Sequence, residues 1–109
     1  MEQDRRRFAR YPLIAHIELL EESTDTRLKS RVSDISMEGC YLDMVNPLPS
    51  GTMVRITISS GETTLVARGR IIYTLQHMGA GVKFEEFAPG SIEALQSWVA
   101  EAQKKDPKF

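Results

Sequence analysis

Hydrophobic and polar residues alternate with a period of two along most of this chain, and a helical period replaces the alternation only near its end. After Pro12, the segment LIAHIELLEE sets Leu13, Ala15, Ile17 and Leu19 on one side and Ile14, His16 and Glu18 on the other, the pattern of a half-buried strand. TRLKSRVSD alternates again, with Leu28 and Val32 against Arg27, Lys29 and Arg31, and GCYLDMV from Gly39 is a run of strand formers. Pro47, Pro49 and Gly51 mark a turn into MVRITIS, whose Val54, Ile56 and Ile58 share a face. SSGE around Gly61 is a tight connection into the longest alternating stretch, where Leu65, Ala67, Ile71, Tyr73 and Leu75 oppose Val66, Arg68, Arg70 and Thr74. Gly69 inside it is placed to permit a bulge or bend. GAGVKFEEF reads as a sixth strand. Beyond Pro89 and Gly90, Ser91 is set to cap a helix, Glu93 suits its first turn, and Ile92, Leu95, Trp98, Val99 and Ala102 form one apolar stripe.

Six short strands and one helix at the end predict an antiparallel barrel or closed sandwich, because a β protein this small must protect its sheet edges. With 109 residues, 41% hydrophobic and 27% charged, the chain holds one core rather than two. No run reaches the roughly 18 to 20 apolar residues of a membrane span, and MEQDRRRFAR has no apolar stretch of the signal-peptide kind. The expected location is the cytoplasm, without membrane insertion. The lone Cys40 has no disulfide partner, and with only His16 and His77 beside it no metal-ligand spacing arises. Cys40 is expected as a small buried hydrophobe, Trp98 as a core anchor, and both histidines at the surface.

Charge alters this picture locally. The net charge is −1, but Arg5, Arg6, Arg7 and Arg10 against Glu2 and Asp4 give the first ten residues +2. Two strings stand out from the β background: an RRxxxR string over Arg5, Arg6 and Arg10, and a DxSxxG string over Asp34, Ser36 and Gly39. Taken singly, the first reads as a solvated tail or nonspecific polyanion binder. The second reads as a turn in which Asp and Ser bond the backbone and Gly supplies positive φ.

Taken together, in this order on this strand pattern, the two strings resemble the PilZ domain family. The register is fixed, since a shift by one would require arginine where Tyr11 stands. The resemblance extends to the Pro-Gly turn before the fourth strand, the GVKF segment at 81 to 84 and the closing helix. It implies a mainly all-β fold: a six-stranded antiparallel β-barrel of PilZ/split-barrel type with a C-terminal α-helix. The whole chain, 1–109, would be one such domain, with a basic arm over 1–11, the barrel over 12–87 and the helix over 91–104. It implies cyclic di-GMP as ligand, bound by Arg5, Arg6, Arg10, Asp34, Ser36 and Gly39, with no further cofactor. The chemistry suits that ligand, because an Arg fork grips a phosphate oxygen pair or the O6/N7 edge of guanine and stacks on a purine face. A carboxylate at Asp34 accepts from guanine N1–H and N2–H, while Ser36 satisfies an edge atom or holds the loop. Gly39 provides positive φ or close approach. Arg68 and Arg70, outward on the long strand, are further candidate phosphate contacts, and Met37 in the loop is a candidate guanine contact or a packing residue.

Three functions follow. The first is a cyclic di-GMP receptor whose mobile arm is ordered by ligand and signals to a downstream protein. The second is a PilZ-fold protein-interaction adaptor with little nucleotide affinity. The third is nucleic-acid binding through the arm, disfavoured by the acidic remainder and the lack of an aromatic row. No Ser/His/Asp or Cys/His set emerges, so an enzyme is not expected.

Overall fold

A computed structural model describes residues 9–105. Its strands are β1 (Tyr11–Glu21), β2 (Thr26–Ile35), β3 (Gly39–Asp43), β4 (Met53–Ser60), β5 (Thr63–Leu75) and β6 (Gly79–Phe87), followed by helix α1 (Ser91–Lys105). The strands close into an antiparallel barrel in the order β1-β2-β3-β6-β5-β4. Sequence neighbours pair as hairpins, and the pairings β1–β4 and β3–β6 join the two three-stranded halves. Closure leaves no strand edge exposed, which is how an antiparallel sheet too small to be covered by other layers avoids edge-to-edge pairing. Among the described residues no helix is long and apolar enough to cross a membrane.

The period-two faces fill the barrel. Ala15, Ile17 and Leu19 of β1, Val54, Ile56 and Ile58 of β4, and Leu65, Ala67 and Ile71 of β5 all point inward and are buried. Cys40 and Leu42 of β3, with Ala80, Val82 and Phe84 of β6, complete this core. β3 ends at Asp43, so Val45 is not part of the strand; it stands 68% exposed in the following connection.

Departures from strict alternation place the site. On β2, Val32 and Ile35 are both buried although three residues apart, because Ser33 is an extra residue relative to β3: Val32 faces Leu42 and Asp34 faces Tyr41. An unbroken period would have put Asp34 on the core face with Val32; the bulge turns it outward. On β5, Ile71 faces Val82 and Tyr73 faces Gly81, so Ile72 is the extra residue. This corrects the sequence expectation for the far half of β5. Past Ile72 the phase inverts, and Leu75, expected inward, is 45% exposed, while Tyr73 lies half-buried on the outer surface. Gly69 does lie at an irregularity, where Arg68 pairs with Glu86 and Gly69 with Phe84, making Glu85 the extra residue.

Helix α1 packs across β5 and β1. Its buried face is Ala94, Leu95, Trp98 and Val99, with Ala102 at the margin. Ile92 departs from the expected stripe and is 41% exposed, because Ala94 rather than Ile92 completes the turn facing the barrel. Ser91 also acts differently from a cap of its own helix. Its Oγ accepts the Val66 N–H at 2.8 Å, so the hydroxyl stitches the helix start to β5, and Gly90, at φ +85°, accepts the first helical N–H from Ala94. At the other end Gln103 donates to the Tyr11 hydroxyl at 3.2 Å, tying the helix to the start of β1.

Candidate functional site

The β2–β3 turn carries the DxSxxG residues, and its backbone is locked from within. The Ser36 N–H donates to the Gly39 carbonyl at 2.8 Å, and the Ser36 hydroxyl accepts from the N–H groups of Glu38 and Gly39 at 3.1 and 3.2 Å. A buried hydroxyl so engaged holds the loop. The Phe84 N–H donates to the Glu38 carbonyl at 2.8 Å and fastens the same turn to β6. Gly39 is not in the left-handed region that its loop position suggested. Its lack of a side chain is required instead by β6, since a Cβ there would overlap the Val82 carbonyl oxygen. Met37 packs its side chain partly against the core.

Beside this turn lies a cleft of about 230 Å³. Arg10, Asp34, Glu38 and Lys83 give its lining charge, Ile72 and Tyr73 an apolar and aromatic part, and Gly39 and Gly81 border it without side chains. Asp34 Oδ2 stands 3.8 Å from Arg10 Nη1, a loose ion pair beyond hydrogen-bond length. Asp34 Oδ1 is buried and has no hydrogen-bond partner among the described residues. An unpaired buried carboxylate oxygen costs at least about 1–3 kcal/mol.

The structure thus brings together Arg10, Asp34, Ser36 and Gly39 of the expected site. Arg5 and Arg6 lie outside the described residues. Arg68 and Arg70 are turned elsewhere: Arg68 holds Glu22 through Nε and Nη2 at 2.8 and 3.0 Å, and Arg70 Nε meets Glu85 at 3.3 Å. The Arg68 hydrogen bonds hold the Glu22 carboxyl below its ordinary range. Neither arginine lines the cleft; the strand lysine that does is Lys83. Glu38, Ile72, Tyr73 and Lys83 were not singled out from sequence, although Lys83 sits inside the GVKF segment that contributed to the family resemblance.

Cys40 lies buried beneath the cleft, and burial, reinforced by the negative charge of Asp34, pushes its thiol pKa up to about 12. Almost no thiolate then exists near neutral pH, and the folded protein is expected to resist alkylation by iodoacetamide until urea unfolds it. The sign of the linkage follows. The unfolded thiol ionises first, so the stability this group contributes is complete below about pH 9 and is lost as pH rises toward 12. Urea melts of wild type and Cys40→Ala at pH 8 and 10 check this, because the pH-dependent loss should shrink in the variant.

A part-polar, part-aromatic groove thus lies at one turn of a closed barrel. The chain belongs to the PilZ domain family, whose model matches residues 4–101. PilZ domains are binding modules rather than catalysts. Comparison with curated proteins gives no match. Among solved structures, the PilZ domain of Escherichia coli YcgR with c-di-GMP superposes with a TM-score of 0.69 at 14% identity, covering 94% of both chains. The PilZ domain of CeSA from a cellulose-synthesizing bacterium gives 0.67 at 20% identity, covering 87% of this chain and 98% of that one. The Bacillus subtilis inhibitor of motility MotI/DgrA gives 0.79 at 14% identity over 97% of this chain. This chain spans only 55% of the latter's length. At these identities the likeness is one of fold.

Proposed function

We propose that this domain is a cyclic di-GMP receptor that binds the ligand in the cleft beside the β2–β3 turn and signals through its N-terminal arm to a downstream protein. The observation that carries the reading is that Asp34 lines that cleft with a carboxylate whose buried Oδ1 has no hydrogen-bond partner among the described residues. Guanine offers two adjacent donors, N1–H and N2–H, of the kind a carboxylate edge accepts, whereas adenine presents an acceptor at N1. The YcgR domain, of the same fold, holds this ligand.

Charge and size support a part for the arm. Among the cleft residues Arg10 and Lys83 are offset by Asp34 and Glu38, so the described surface does not neutralise two phosphodiesters. A volume of about 230 Å³ also falls below the roughly 300–1,000 Å³ of sites that enclose a ligand of drug size. Arg5 and Arg6, reaching over from the arm, supply both the missing charge and the missing wall. Folding of the arm onto the ligand is then the conformational event a partner reads. The domain works in the cytoplasm in this reading.

Titration calorimetry with cyclic di-GMP tests it. Wild type should bind saturably, and an Arg5/Arg6/Arg10 triple alanine variant should bind at least about a hundredfold more weakly, from charge-assisted bonds of roughly 1.5–3 kcal/mol each. An absence of heat from wild type at high ligand concentration rejects the reading. A second reading, an adaptor indifferent to nucleotide, is favoured by one feature. Val45, Leu75 and Met78 are exposed apolar residues near the end of β3, where Met78 is bonded to both Leu75 and Met44, the neighbour of Val45, through the backbone. A protein partner retained equally by wild type and the triple variant, with and without ligand, selects that reading.

A further inference from the structure

Every seam of the closed barrel is paired, but the seam between β2 and β3 is short. β2 is joined to β1 as far as Thr26 and to β3 only as far as Arg31, which stands opposite Asp43. β3 departs there because its continuation is held by the other side: the Met44 N–H donates to the Met78 carbonyl at 3.0 Å. Below that point the two strands part as a fork, with Thr26–Ser30 on one prong and Met44–Asn46 on the other. The Ser30 hydroxyl, donating to the Asp43 carbonyl, marks its root. A recess of about 280 Å³ lies in the fork, lined by residues 28–31 and 43–46. Successive residues of a strand direct their N–H and C=O groups to alternate sides. Every second residue of Thr26–Ser30 therefore turns both groups into the recess, where no backbone bond from another described residue meets them.

The side chains of β2 give this recess two unlike faces. Arg27, Lys29 and Arg31 are exposed on the outer surface, while Leu28 packs partly against the core, as Met44 does on the other prong. The basic column is only loosely compensated, since Glu18 stands 3.9 Å from Arg27 and Asp43 stands 4.0 Å from Arg31, both pairs at the surface. Val45 adds exposed apolar surface at the rim.

We infer that this fork takes up an extended segment of a partner protein as an added strand beside β2, a segment in which acidic and apolar residues alternate. Main-chain hydrogen bonding to an unpaired strand supplies the attachment, and side chains on the two faces supply the selection. Residues of an added strand stand beside those of β2 on each face. Its outward side chains then meet Arg27, Lys29 and Arg31, and its inward ones meet Leu28, Met44 and Val45. Charge rejects the other occupants. A second copy adding its own β2 about a two-fold axis centred on Lys29 would set Lys29 against Lys29 and Arg27 against Arg31, like charges directly opposite. The chain's own segment before Ala9 carries Arg5, Arg6 and Arg7, and its last residues include Pro107, which has no N–H to give a ladder. The fork is separate from the cleft, and the inference holds whether or not the domain binds cyclic di-GMP.

Two short capped peptides test this on the full chain, one alternating valine with glutamate and the other valine with lysine. In amide NMR titrations the glutamate peptide should bind saturably and shift the signals of Arg27 to Arg31, and the lysine peptide should leave them in place. With the glutamate peptide bound, hydrogen exchange at alternate residues of Thr26–Ser30 should slow at least about tenfold, which a contact between charged side chains alone would not produce. Lys29→Glu changes an exposed strand position; it should weaken the glutamate peptide at least about tenfold and admit the lysine peptide, with thermal melts to show that the fold is kept. Absence of binding by the glutamate peptide, equal binding of both peptides, binding without slowed exchange, or unaltered binding in Lys29→Glu overturns the inference.

Discussion

Replacing Gly39 by alanine should unfold the barrel at the seam where its two halves meet. The residue bridges the cleft turn and the β3–β6 pairing, facing Lys83, and its added Cβ would run into the Val82 carbonyl oxygen. Backbone cannot swing aside as a side-chain tip can, so β6 must move away from β3, and the turn bond from Phe84 N–H to the Glu38 carbonyl goes with it. Overpacking of this kind costs roughly 3 kcal/mol, which for a domain of this size lowers Tm by at least about 12 °C. Gly51 makes the contrast. A Cβ there meets nothing within 4 Å, and the expense is its left-handed φ of +94°, about 1–2 kcal/mol. Circular dichroism melts of Gly39→Ala and Gly51→Ala should separate clearly, and equal melting would show that β6 yields for no more than the strain at Gly51 costs.

Asp34→Ala should move binding and stability in opposite directions. Removing the carboxylate deletes two charge-assisted acceptors for the guanine edge, and the affinity for cyclic di-GMP should fall about a hundredfold. The folded domain loses only a 3.8 Å ion pair to Arg10 and sheds a buried oxygen that has no partner among the described residues. Its unfolding free energy should therefore hold or rise by up to about 1 kcal/mol, the trade expected where a site is kept for function at some cost to the fold. Chemical denaturation beside calorimetry reports both quantities. A variant that binds normally, or one that loses binding only because it melts, would remove Asp34 from the site.

The fold was legible because strand faces in a closed barrel are read directly from a period of two. Val54, Ile56 and Ile58, or Ala15, Ile17 and Leu19, are buried as that period requires. The misplacements occur where the period breaks. Leu75 and Tyr73 were set facing inward because the sequence gives no local sign that Ile72 is an extra residue; only the register against Gly81 reveals it. Ile92 lies at a spacing compatible with the stripe, yet the helix rolls toward Ala94 because Ser91 is engaged with Val66 of β5. In the site, the motif residues Asp34, Ser36 and Gly39 were visible as a string, but their division of labour was not. Ser36 spends its hydroxyl on the turn and Gly39 its missing side chain on β6, which leaves Asp34 as the member of the three with an oxygen that has no partner among the described residues. The sequence does not mark Tyr73 and Lys83 as cleft residues, because they come from strands remote in sequence and meet the motif only when the barrel closes.

The placement of Trp98 makes the domain its own instrument. It is the sole tryptophan, sealed between helix α1 and the barrel at 8% exposure, while the cleft takes its aromatic character from tyrosine. Indole emission therefore reports detachment of the helix and does not report the groove directly. The integrity of the fold can be followed through this one residue while ligand is added, without a label.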